Sequence, residues 1–415
     1  MNKLLLSLFT FHFSLLTTSA QTLTVEVKNP TTDFRHEVVG VDAAEVKARM
    51  GDRFRVVEGA GLDVPYQLTH DRQLLIEAAL RPKGTARFTI VAGQPPKCPT
   101  VCHGGLHPER KDDFAWENDR GAYRVYGPAL GRTGERSYGI DVWTKNTPEL
   151  VVDDRYYIED VVTIPRIDSI YRNNWHVRDS LYRLISYHYD HGRGLDPYRV
   201  GASLGCGAPA LMVGDSLVMP YCFERYEVLD DGPLRFSVRF EQSRRMVCGL
   251  PIMENRVVTM DKGSNFCRME VWYVGFSRLA GMTRQSSPTS MTRKTGPTSK
   301  NRTVTICSGV VLQPEDRESY VLGPNYVSYT DPTDQPNVHQ APLYVAVLFP
   351  NGKVTTRKQD NHVLGIVSDY NWRTIRQNIL MLRKRLSIVP LHNCSSKNQI
   401  SKQKSLILRM ANGVY

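Results

Sequence analysis

Hydrophobic and polar positions alternate in short bursts along most of this chain. In TLTVEVK, Leu23, Val25 and Val27 share one side, and Asn29-Pro30 ends the run. EVVGVD, FRVVEG, PYQLTHD, QLLIEAAL and ARFTIVAG follow, each bounded by Gly, Pro, Asp or Asn. Period-two patterning broken by turn residues predicts antiparallel sheet with one buried face. Gln94-Pro95-Pro96-Lys97 closes this unit, so residues 21–97 are expected to form a small N-terminal β-sandwich.

Longer runs come next: AYRVYG, YGIDVWT, LVMPYCFERYEVL, PLRFSVRFEQ, ENRVVTMD and FCRMEVWYVGF. Val238 and Phe240 alternate with Arg239 and Glu241, the half-buried strand pattern. Asp230-Asp231-Gly232-Pro233 predicts a turn between two such strands. Only 373–388 reads as a sustained amphipathic helix. The expected fold class is all-β, with a large antiparallel β-supersandwich over residues 98–370 after the small one.

Charge adds a boundary to this picture. The 415 residues hold 53 Lys+Arg and 42 Asp+Glu, a formal net charge of +11. Fifteen of the basic residues lie in 276–302 and 371–415, which contain no acid, and without them 38 basic face 42 acidic residues. The body is mildly acidic, so a uniformly basic nucleic-acid binder is excluded. Both basic stretches lose strand alternation. Residues 276–302 read as an insertion, and 371–415 as a solvated, irregular tail that leaves the sandwich without its last strands.

Lys3, the apolar stretch Leu4–Leu16 and Thr18-Ser19-Ala20 before Gln21 have the layout of an export signal, so residues 1–20 are expected to be removed on the way to the periplasm or beyond. No later run of eighteen apolar residues predicts a membrane span. The eight cysteines show no framework spacing. Cys98 and Cys102, with His103 and His107 nearby, lack a second ligand pair at zinc spacing and are read as buried thiols or a loop disulfide. No Gly-x-Ser-x-Gly elbow, dinucleotide fingerprint, phosphate loop or metalloprotease helix motif is present, so no cofactor or metal is expected.

Two stretches are dense enough in chemistry to carry a site. The first is His107–Arg120. If it is extended, Arg110, Asp112, Phe114, Trp116 and Asn118 share one side, with Lys111, Asp113 and Glu117 on the other. Acids, bases and an aromatic plate suit sugar binding, and the alternative is an exposed salt-bridged strand. The second runs Tyr187-His188-Tyr189-Asp190-His191-Gly192-Arg193-Gly194-Leu195-Asp196-Pro197-Tyr198. Histidine moves protons near neutrality, and tyrosine acts as acid or base beside an arginine. Gly192 and Gly194 make this a loop rather than a helical turn aligning His188 and His191. The alternative is a structural hydrogen-bonded loop.

These stretches, with GIDVWTKNTPELVVD and YEVLDDGPLRFSVRFE, resemble a Bacteroidetes family labelled only as a domain of unknown function. The resemblance runs from about Thr22 to Tyr370. It implies a carbohydrate-active enzyme like those found beside pectin- and ulvan-degrading enzymes, with dehydration of uronic-acid-containing oligosaccharides as its activity. The core is expected to be similar to galactose-mutarotase-like folds.

Dehydrating a terminal uronate requires three things: neutralising its carboxylate, removing the α-proton and protonating the leaving hydroxide. Arg193 or Arg110 is then the carboxylate clamp and His188 or His191 the base. Tyr187, Tyr189 or Tyr198 is the acid. Trp116 is the stacking plate, with Lys111, Asp112, Asp113 and Glu117 lining the sugar site. The competing readings are a glycoside hydrolase using Asp112 or Asp113 with Glu117, and a non-catalytic oligosaccharide-binding protein.

Overall fold

The computed structural model describes residues 22–276, 304–313, 319–331, 343–350, 354–367 and 375–383, the last through its backbone. The export signal expected over 1–20, nearly all of the insertion expected at 276–302 and most of 371–415 lie outside these residues.

The fold is antiparallel all-β. Thr22–Lys28, Thr85–Ala92, Phe54–Glu58 and Leu62–Asp63 form one small sheet, and Arg35–Asp42, Gln73–Leu80 and Tyr66–Leu68 another. Phe54, Val56, Leu74, Ile76, Phe88 and Ile90 meet between them as a separate core. The helix Ala43–Met50 starts where the Asp42 carboxylate accepts the Ala44 amide at 2.8 Å. This unit is tied to the body by Gln67, whose buried amide bonds the Leu234 and Arg235 amides and the Arg235 carbonyl.

Among the described residues the body contains three sheets. One orders Gly194–Leu195, Asp141–Lys145, Gly121–Val125, Asp113–Glu117 and His103–His107. A second orders Ser216–Val218, Cys206–Val213, Val304–Val311, His362–Val367 and Val354–Gln359. The third has nine strands and includes Phe223–Asp230, Arg235–Gln242, Leu250–Asp261 and Phe266–Val274. All three contribute to one core, in which Phe114, Trp116, Phe236, Phe240, Met269 and Val310 are buried.

Two sequence expectations are corrected here. Ile375–Arg383 is neither a helix nor part of an irregular tail. It is an interior strand of the nine-stranded sheet, paired antiparallel to Phe266–Val274 on one side and Leu343–Leu348 on the other. It pairs along both edges, so the sandwich edge expected to be open there is filled. Helix occurs elsewhere: Val152–Tyr156, a π-helical segment Tyr157–Thr163, Ile164–Ile170 and Trp175–Arg183 form one irregular helical run. No helix among the described residues is long and apolar enough to cross a membrane.

Candidate active site

The sheet carrying both motif stretches has two unlike faces. Phe114, Trp116, Tyr123 and Val142 point into the main core. Strand alternation sends Asp113, Ala115, Glu117, Ala122, Arg124, Asp141, Trp143 and Lys145 to the opposite face. That face is covered by the helical run, with Val152 and Tyr156 packed on Ala115, Ala122 and Trp143.

Glu117 anchors the cover. Its carboxylate accepts the Val151 and Val152 amides, both at 2.8 Å, and the Lys145 ammonium at 2.5 Å. Burial lowers the Lys145 pKa despite this partner. An acid at the first turn of a helix also complements its dipole.

At the centre of the face Arg124 is enclosed by carboxylates. Its Nη2 donates to Asp141 and, at 2.9 Å, to Asp196, while Nη1 stands 3.8 Å from Asp113 and 3.5 Å from the Tyr156 hydroxyl. The guanidinium also lies 5.2 Å from the Trp143 ring centre. Burial pushes Asp113 up to about 6, against the pull of Arg124 and Arg110. Burial likewise raises Asp141, and Asp196 adds to the rise. Asp113 Oδ1, Asp196 Oδ1 and Arg124 Nε make no hydrogen bond among the described residues.

His188 stands at the rim of this cluster with its side chain one third exposed. Its Nδ1 lies 3.2 Å from the Asp196 carbonyl and 3.5 Å from an Asp196 carboxylate oxygen. Donation from Nδ1–H to that carbonyl leaves the Nε2 lone pair outward. The loop is set from behind by Glu159, a buried carboxylate on the π-helical segment that accepts the Tyr187 amide at 2.7 Å and lies 3.4 Å from Ser186 Oγ. Tyr187 stacks on Trp143 at 4.7 Å and lies 4.8 Å from His188 between ring centres. Burial keeps its phenol protonated. Arg110 is half-buried beside Tyr187 and Asp113. Burial works against its charge, and Tyr187 and Asp113 more than offset this. On the far side of Tyr156, His107 stacks on that ring at 3.9 Å, and burial lowers its pKa.

His188, Tyr187, Arg110 and Asp113 are therefore brought together, and the other expected site residues are not. Trp116 cannot be a sugar plate: it is 0% exposed and packed against Tyr123 and Phe240. Lys111 and Asp112 do not continue the strand, because both take left-handed backbone angles after a 3-10 turn at Pro108–Arg110. Lys111 is exposed, 3.7 Å from Glu135. Asp112 accepts the Ala129 amide at 2.9 Å in the first turn of Pro128–Arg132. Asp112 and Glu117 thus both serve as acceptors for backbone amides of neighbouring helices.

Tyr198 is buried in the main core, where burial drives its phenol far up. Tyr189 lies 5.9 Å beneath the Arg183 guanidinium. His191 Nε2 is 3.1 Å from the Ser186 carbonyl. Arg193 is held by the Leu150 carbonyl at 3.3 Å and stands 3.6 Å from Asp154, which ties the loop to the helical cover. Cys98 and Cys102 are free thiols, Cys102 buried, and His103 is instead raised to about 9 by its hydrogen bond to Asp153, with Asp231 adding to the rise. Among the described residues no three His, Cys, Asp or Glu side chains are arranged to hold a metal ion.

As a test of these local roles, Asp112→Ala should cost about 1 kcal/mol in urea unfolding through loss of the bond that holds the Ala129 amide. If Asp112 bound substrate, the same variant would weaken binding at unchanged stability.

A family model described as a domain of unknown function (DUF4861) matches residues 27–373. The chain belongs to this family. "Uncharacterized protein P7" of Formosa agariphila is 28% identical over 269 residues, which cover 60% of this chain and 62% of that protein. The chain thus spans less than two thirds of that relative's length. Two solved structures are partly similar. A protein in the glycosyl hydrolase family 38 from Enterococcus faecalis has TM-score 0.42 and 8% identity, over 93% of this chain and 45% of its own. An α-mannosidase from Enterococcus faecalis V583 has TM-score 0.46 and 9% identity, over 92% and 45%.

In this DUF4861 chain the sequence motifs leave out Arg124, Asp141, Tyr156 and Glu159. A signal for the first two is present: AYRVYG and YGIDVWT each place one lone charge inside an apolar strand run. Buried charges are rare unless paired, so two such strands close in sequence point to one pair.

Proposed function

We propose that the protein is a carbohydrate-active lyase that removes water from a terminal uronate of an oligosaccharide. The observation carrying this reading is the contiguity of His188, Tyr187 and Arg110. His188 Nδ1 is held at 3.2 Å by the Asp196 carbonyl, its ring lies 4.8 Å from that of Tyr187, and Arg110 stands beside Tyr187.

Arg110 pairs with the sugar carboxylate and draws charge toward it, which acidifies the α-proton. His188 Nε2 takes that proton. The resulting imidazolium is stabilised by Asp196 and returns the proton to the departing hydroxide on the same side of the ring. The electron pair of the C–H bond becomes the double bond, the C–O bond breaks, and water leaves. One histidine serves as base and then acid, which suits a rim where Tyr187 is buried with its phenol pushed up. Tyr187 and Asp113 act as positioning residues for Arg110.

Purified protein mixed with saturated uronate-terminated oligosaccharides from pectin or ulvan should develop the absorbance of a conjugated double bond. New reducing ends without that absorbance would establish hydrolysis instead. Affinity with no turnover would establish a binding protein.

A further inference from the structure

Beside the candidate site, Ile164–Ile170 and Trp175–Arg183 enclose a groove of about 370 Å³. This lies within the range of about 300–1,000 Å³ usual for ligand pockets. Trp175 lies along it and is 64% exposed, the indole paired with His176 at 3.5 Å. Trp116 and Trp143 are buried, so this ring is placed where an indole has the least reason to be in a monomer.

The rest of the lining is mixed in a specific way. Ile164 continues the apolar strip, and Asp168, Arg178, Asp179 and Tyr182 supply polar groups. Arg178 is already paired with Asp168, and Asp179 bonds Arg183 at 2.9 Å. Each lining carboxylate is matched by an arginine, so the groove carries no net charge and offers no free cation to an anionic ligand. An aromatic plate beside carboxylates that accept from hydroxyls suits a neutral sugar ring, with its apolar face on Trp175.

The groove is also wired to the candidate site. The Ser186 amide donates to the Tyr182 carbonyl at 2.9 Å, and the Glu159 carboxylate holds the Tyr187 amide next to His188.

We infer that this groove is a neutral-sugar subsite that holds the oligosaccharide beyond the uronate at His188. The subsite rests on the reading that His188 acts on an oligosaccharide, and two separate readouts keep the two apart.

The first readout is binding. A panel of neutral tetrasaccharides should shift the fluorescence of exposed Trp175 to the blue. Trp175→Ala should bind about tenfold more weakly, and Trp175→Phe should recover part of that loss. The substitution is at an exposed position, and an unchanged unfolding midpoint checks the fold. The second readout is turnover. Trp175→Ala should raise KM about tenfold on a uronate-terminated tetrasaccharide, with kcat and all constants on the disaccharide unchanged.

If no oligosaccharide is turned over yet the neutral panel binds through Trp175, the His188 reading fails and the subsite stands. The subsite is overturned if no neutral sugar shifts the fluorescence. Equal losses on the tetrasaccharide and disaccharide also overturn it. So does a sedimentation profile in which Trp175→Ala splits a dimer with no effect on sugar binding, which would make the face an interface between copies.

Discussion

Replacing His188 with alanine is expected to lower kcat/KM on a uronate-terminated oligosaccharide by about 10²–10⁴-fold, the usual contribution of a positioned acid–base group. The loss should fall mainly on kcat, because in the proposed reaction the imidazole moves protons in the transition state and does little to hold the ground state. The side chain is one third exposed and makes one hydrogen bond to a backbone carbonyl, so stability should change little. His191 provides the contrast. It lies three residues away but points Nε2 at the Ser186 carbonyl, and His191→Ala should keep a rate near that of the unaltered protein. Steady-state kinetics on both variants separates the two histidines, which the sequence left equivalent. Equal losses would place the acid–base role elsewhere.

The second large effect is on stability. Arg124→Met should cost about 3–5 kcal/mol in denaturant unfolding, because it strands the buried carboxylates of Asp113, Asp141 and Asp196. The pH dependence of this deficit follows from the raised carboxylates. Asp113 titrates at about 6 in the folded protein, above its ordinary 3.8, so it favours folding at low pH and loses that contribution as pH rises through 6. Asp141 is raised for the same reason. With the cation gone both rise further, so the deficit should shrink toward pH 4 and be largest above pH 7. A deficit that does not vary with pH would mean that lost packing, and not uncompensated charge, is what the substitution costs.

Much of the architecture is legible from alternation alone. Val238 and Phe240 against Arg239 and Glu241 give a half-buried strand, and Asp230–Pro233 gives its turn, as the sheet bears out. The same alternation separates Phe114 and Trp116 from Asp113 and Glu117. It does not say which face meets water. Here the aromatic face enters the core and the charged face is roofed by helix, so Trp116 is removed from the site and Glu117 becomes an anchor.

The roof itself is hard to read because its period is broken. Val152, Tyr156 and Glu159 are buried at helical spacing, but Glu159 is polar and the π-helical turn shifts the register after it. Ile375–Arg383 fails for the opposite reason. Its Ile379-Leu380-Met381-Leu382 run is continuous, and such a run does not distinguish strand from helix. The candidate site depends on contacts between distant segments, such as Asp196 with Arg124 and Glu159 with Tyr187. The loop stands out by its composition, but which of its side chains face the cluster is decided by the fold.

The central claim is that His188 drives loss of water from a uronate. Its most direct test is mass spectrometry of the product formed in heavy-oxygen water. One product lighter than the substrate by a single water is predicted, with no heavy oxygen incorporated and its formation slowed about 10²–10⁴-fold by His188→Ala. Two shorter sugars, one carrying heavy oxygen at its new reducing end, would contradict it.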